Sequence, residues 1–179
     1  MTDYAELLDR LASAVGDVHP WTGEPVPEPC TADGIAAAES TLGFPLPPLL
    51  ASLHTRIADG GFGPDYGLLP LREAVARYGA QRRGGADGGE DWPWPEGVVP
   101  TADLGCAMLA CVDFRSEEAR VLLFEPNPGE ADLAWCVLAP SLSAWLTAWL
   151  DGTGWFGDEE FVDDLAPWPD YRARAAAHI

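Results

Sequence analysis

Lysine is absent from this chain of 179 residues: all ten basic side chains are arginine, set against 29 aspartates and glutamates, for a formal charge of −19. An Ala-, Gly-, Pro- and Arg-rich chain without lysine is what a GC-rich coding sequence produces, so arginine in place of lysine carries no functional message by itself. The shortage of positive charge does. Residues 1–60 hold 9 acids and 2 bases, 61–120 hold 10 and 6, and 121–179 hold 10 and 2. Such a surface repels nucleic acid and anionic lipid; it either attracts a basic protein or serves solubility alone. No run of 18 apolar residues occurs, so no membrane span is expected. "MTDYAELLDRLASAV" carries acids where a secretory signal carries bases, which predicts a cytoplasmic protein. The cysteines Cys30, Cys106, Cys111 and Cys136 form no C-x-x-C pair, and without a secretory signal they are expected as free thiols. G-x-S-x-G, G-K-[ST] and H-E-x-x-H are also missing. No catalytic residue, cofactor or metal ligand is assigned from sequence.

What is present is a string of helices followed by apolar strands. Tyr4, Leu7, Leu8, Leu11 and Val15 repeat at helical spacing, with Asp3 and Glu6 in a capping-box pattern, and predict a helix over 4–15. "DVHPWTGEPVPEPC" (17–30) holds four prolines and reads as an extended strap. A second helix is predicted over 32–42, capped by Thr31, facing inward with Ile35, Ala38 and Leu42, and stopped by Gly43. A third runs from Pro47 to Ala58 with the stripe Leu49, Leu50, Leu53 and Ile57, and Gly60 as its left-handed cap. "LLPL" (68–71) reads as a short edge strand and 72–80 as a short helix. Val98–Val99, "CAMLACVDF" (106–114), "ARVLLFE" (119–125) and "DLAWCVL" (132–138) read as strands of an antiparallel sheet, with helices on one side. Leu142, Trp145, Leu146, Trp149 and Leu150, behind Ser141, make a closing helix over 142–151. The expected class is α+β: one domain, with N-terminal helices, then a mainly antiparallel sheet, then a C-terminal helix packed on it.

"GGFGPDYG" (60–67) tempts a phosphate-loop reading, which its context defeats. A helix precedes it and a strand is expected after it, the reverse of the dinucleotide-binding order. Tyr66 stands where the third glycine belongs, and Asp59 and Asp65 would repel phosphate. The glycines are instead expected to stop a helix and turn the chain. Cys106 and Cys111, five apart on one expected strand, would point to opposite faces, while Cys136 would share a core with one of them. His54, beside the stripe of the third helix, is expected to be structural.

Two segments combine acids with aromatics. "DEEFVDD" holds Asp158, Glu159, Glu160, Asp163 and Asp164, with Trp155 and Phe156 just before it. "DWPWPEG" holds Trp92 and Trp94. Each tryptophan either covers core or waits for a partner. With Asp59, Asp65 and Tyr66, these residues are the candidate partner-binding set.

"IAAAESTLGFPLPPLLASLHTRIADGGFGPDYG" resembles the SUKH superfamily, which includes fungal cell-wall-assembly regulators and bacterial immunity proteins. Ile35, Glu39, Leu42, Gly43, Leu46, Pro47, Gly60 and Gly61 carry the resemblance. It is clear over 31–71 and weaker to about residue 150. Three segments are expected: a helix and Pro-rich strap (1–30), a SUKH-like domain (31–152), and an acidic, then Arg/Ala-rich tail (153–179), of which the first and last depart from the family pattern and are not informed by the resemblance. The resemblance implies binding without catalysis, most directly immunity against a basic toxin, in many cases a nuclease. A housekeeping adaptor for a signalling or cell-wall protein is the second reading. An enzyme with a pocket near His54, Asp59 and Asp65 is the third.

Overall fold

The computed structural model describes residues 4–20, 22–84, 92–127, 129–154 and 165–176. Its elements are α1 (Ala5–Ala14), α2 (Ala32–Leu42), α3 (Pro48–Arg56), α4 (Leu71–Arg82), β1 (Val98–Gly105), β2 (Met108–Asp113), β3 (Val121–Phe124), β4 (Trp135–Ala139), α5 (Leu142–Leu150) and α6 (Tyr171–Ala176). The strands form one antiparallel sheet in the order β1-β2-β3-β4. The α+β class and the order of elements are as the sequence implies.

Local chemistry explains the helix ends. Thr31 Oγ1 accepts from the Gly34 N–H at 3.1 Å, and Ser141 Oγ accepts from the Ala144 N–H at 3.0 Å. Each satisfies a donor that the first helical turn leaves open. Gly43 takes φ +81° and ends α2. α1 begins after Tyr4, whose side chain makes no capping bond; the expected box of Asp3 and Glu6 lies in part outside the described residues. α3 stops at Arg56, four residues before Gly60, so Gly60 is not its cap.

The sheet departs from expectation in three ways. β1 is eight residues long, although Pro100, Thr101, Asp103 and Gly105 interrupt its apolar pattern. Bulges beside Pro100 and Asp103 absorb that irregularity. Cys106 and Ala107 are the two-residue turn of the β1–β2 hairpin, with φ of +50° and +66°. Cys106 is therefore exposed in a turn and shares no strand with Cys111. Finally, "LLPL" is no strand: Leu68 makes one bridge to Ala102, Leu69 N–H donates to Thr101 O at 2.8 Å, and Pro70 opens α4.

Helices cover both faces of the sheet, not one. Leu8, Leu11, Leu50, Leu53, Trp145 and Leu146 from α1, α3 and α5 meet Ala110, Val112, Val121 and Leu123. On the other face Tyr78 of α4, with Trp94, Trp168 and Tyr171, meets Cys111, Leu122, Phe124 and Trp135. Consecutive strand residues alternate between these cores, as a period of two requires. Cys111 and Cys136 accordingly lie on opposite faces. A third cluster of Ala38, Leu46 and Leu71 joins α2 to α4.

Both sheet edges are occupied. Residues 68–69 lie along β1, and residues 166–168 along β4, where Val137 N–H donates to Ala166 O at 2.8 Å and Trp168 N–H to Trp135 O at 2.9 Å. Covered edges remove the unpaired rows through which sheets aggregate. Among the described residues, no helix is long and apolar enough to cross a membrane.

Candidate functional site

The joint between α3 and α4 carries most of the sequence motif. Asp59 Oδ1 accepts from the Leu71 N–H at 2.9 Å and lies 2.9 Å from His54 Nδ1. Its carboxyl is held below the ordinary carboxylate value, chiefly by the His54 hydrogen bond, against the opposing effect of burial. His54 itself is buried. The Pro-rich strap is tied to the same place: Cys30 N–H donates to His54 O at 2.7 Å and Asp59 N–H to Glu28 O at 3.3 Å.

The glycine pair is consumed by packing. A Cβ on Gly60 would stand 2.6 Å from the Leu68–Pro70 backbone, and one on Gly61 would stand 2.7 Å from Pro27 Cδ. Amide donors that a phosphate cradle would need are already used: Gly60 N–H on Ala58 O, Gly61 N–H on Leu68 O, Gly67 N–H on Pro64 O. The other signature residues are structural too. Glu39 Oε1 accepts from the Leu46 N–H at 2.9 Å and fixes the α2–α3 turn, into which Leu46 packs with Ala38 and Leu71, flanked by Ile35 and Leu42. Pro47 is the residue before the first turn of α3.

Asp65 and Tyr66 sit at the far end of the loop. Asp65 has φ +49°, and its Oδ2 is buried with no hydrogen-bond partner among the described residues. Burial pushes its carboxyl up to about 6. Tyr66 is 53% exposed and lies across Gly105 at the β1–β2 hairpin. No hydrogen bond among the described residues joins Asp65 to His54 or Asp59.

The aromatic candidates divide. Trp94 is core: it is 4% exposed, its Nε1–H donates to Val98 O at 2.6 Å, and its ring lies 4.8 Å from that of Trp135. It offers no face to a partner in this fold. Trp92 is half-buried against Phe124, 6.3 Å between ring centres. Trp155, Phe156, Asp158, Glu159, Glu160, Asp163 and Asp164 lie outside the described residues.

Two features were not signalled by sequence. Asp113 is 2% exposed, and its carboxylate takes the Arg174 guanidinium at 2.6 Å and the Arg115 N–H at 3.0 Å. Arg174 also donates to Glu96 O and stands 5.8 Å from the centre of the Trp168 ring. The pair latches α6 to the end of β2 across 61 residues of sequence. The second feature is a cavity of about 270 Å³ between α2 and α4, with Asp59 as the one acid lining it. Cys30 also lines it; burial and the charge of Asp59 push its thiol up, away from a reactive thiolate. Among the described residues, no group of three His, Cys, Asp or Glu side chains is placed to hold a metal ion.

Among known families, the model described as "SMI1 / KNR4 family (SUKH-1)" matches residues 29–148, two thirds of the chain. Among curated proteins none matches.

Proposed function

Since this chain belongs to the SMI1/KNR4 family (SUKH-1), we propose that it is a protein-binding module that works by association without catalysis, and that its partner is a basic protein. The finer reading is an immunity protein that occupies and neutralises a toxin domain. The observation that carries it is the charge. The formal −19 is an excess that internal pairing leaves in place, because each ion pair cancels one acid together with its base. Arg10, Arg77, Arg115, Arg120, Arg172 and Arg174 are each engaged by this chain's own carboxylates. Few bases remain to offset Asp33, Glu117, Glu118 and the other exposed acids. A field of one sign steers a complementary partner, raising association rates about 10–1,000-fold, and is screened by salt.

The motif residues build the turn between helices and identify the family, while the acidic surface and the exposed Tyr66 support partner capture. The test is capture of partners by the full chain from its native host at low and at high salt, identified by mass spectrometry. A protein of high isoelectric point, retained at low salt and released at high salt, with association slowing as salt rises, is the expected result. Partners that are acidic, or retained equally at both salts, would overturn the reading. A basic partner that is an endogenous signalling or cell-wall protein would favour a regulatory adaptor over an immunity protein.

A further inference from the structure

The cavity between α2 and α4 exists because the facing side chains are small. Gly34, Ala37 and Ala38 line it from α2, and Val75 lines it from α4. Its volume of about 270 Å³ suits one long side chain; pockets for drug-sized ligands run from about 300 to 1,000 Å³. The walls are mainly apolar, and the one acid among them is Asp59. That carboxylate is fixed in position because Oδ1 receives both the His54 and Leu71 hydrogen bonds. Oδ2 accepts no hydrogen bond among the described residues. A carboxylate with a free oxygen, held beside a narrow apolar slot, complements a guest with a hydrocarbon stem and a cationic head. A neutral apolar guest would desolvate the carboxylate without pairing it, and an anionic guest would be repelled.

We propose that this slot receives an arginine or lysine side chain presented by the partner protein. The inference rests on the protein-binding reading above and gives it an address. Arg72, exposed at the cavity wall, opposes such a guest. Its removal is therefore expected to tighten binding.

The test is a titration of the ¹⁵N-labelled full chain with N-acetyl-argininamide, and in parallel with its neutral citrulline counterpart. Saturable shifts at Gly34, Ala38 and Leu71 are expected with the arginine probe. The citrulline probe should bind about tenfold or more weakly, the scale of one hydrogen bond to a charged group. Ala37 is exposed, so Ala37→Phe fills the slot without touching the Asp59 hydrogen bonds, and should abolish the shifts. Asp59→Asn should do the same, and Arg72→Ala should strengthen them. Equal response to the two probes, shifts that survive Ala37→Phe, or no response to the arginine probe by the folded chain would each overturn the slot. The titration contains no partner protein, so its failure is separate from failure of the salt-sensitive capture. A captured basic partner that binds Ala37→Phe as tightly as the parent chain would also remove the slot while leaving the protein-binding reading standing.

Discussion

The two faces of the sheet are built from different materials. One is mainly aliphatic: leucines of α1, α3 and α5, with Trp145 and Phe62 among them, packed on alanine, valine and leucine of the strands. The other is aromatic: Trp135 lies 4.8 Å from Trp94, 5.0 Å from Phe124, 5.9 Å from Tyr171 and 6.1 Å from Trp168, centre to centre. Leucines fill a space defined by regular helices, and their surroundings can repack. Large rings fill the space between the sheet, α4 and α6, and each ring depends on the position of the next. The aliphatic face therefore rests on helix stripes, whereas the aromatic face joins residues 92–94, β3, β4 and residues 165–176 into one unit.

That contrast is open to attack, beginning with the largest expected effect. Trp135→Ala should cost about 3–5 kcal/mol and Leu53→Ala about 2–4 kcal/mol, read from urea unfolding. Trp135→Ala should also expose residues 165–176 to limited proteolysis, and Leu53→Ala should leave them protected. Equal protection in both variants would break the claim that the aromatic face is one unit.

A smaller effect probes the latch on the same face. Arg174→Ala leaves Asp113 buried without its counter-charge. Complete loss of one partner of a buried pair costs about 3–5 kcal/mol; because the Arg174 side chain is 26% exposed, we expect about 2–3 kcal/mol. Asp113→Asn in the Arg174→Met background should recover more than half of the loss, since it removes the stranded charge and keeps the oxygen that accepts from the Arg115 N–H. No recovery in that double variant would mean that the pair is not what holds α6.

The smallest effects concern the two aspartates of the loop, which are perturbed in opposite directions. The carboxyl of Asp59 is lowered in the fold, so its contribution to stability is complete above the ordinary carboxylate value of 3.8 and fades as pH falls through the lowered value. Asp65 is raised to about 6 from 3.8, so the folded state binds more protons between those values. Stability falls as pH rises through that window, and the penalty is complete above it. Asp65→Asn, which suits a positive φ, should raise the urea midpoint near pH ~7 and lose that advantage near pH ~4. Asp59→Asn should lower the midpoint at neutral pH, with the difference shrinking at strongly acid pH. Parallel pH profiles for the two variants would contradict the opposite placement of the two carboxylates.

The same contrast explains what was readable from sequence. α2, α3 and α5 could be placed within a residue or two because their stripes, caps and stops are local signals. β1 was recognised only at Val98–Val99, because its bulges and Pro100 erase the alternation a strand announces itself by. Trp94 and Trp168 could not be assigned, since the rings packed against them come from residues 30 or more positions away. The joint at Asp59 was legible as a motif, but the slot beside it was not. Its α2 side is made largely of glycine and alanine, which in sequence look like ordinary helix and only in three dimensions become empty space.

The Asp113–Arg174 pair also imposes an order on synthesis. Asp113 leaves the ribosome 61 residues ahead of the guanidinium that neutralises it. Through that interval a nascent chain that dried the end of β2 would strand a charge, so water has to stay there while the aliphatic face is already able to close. α6 is thus the element that brings Asp113 its counter-charge, and the second face cannot close dry around that carboxylate before α6 docks.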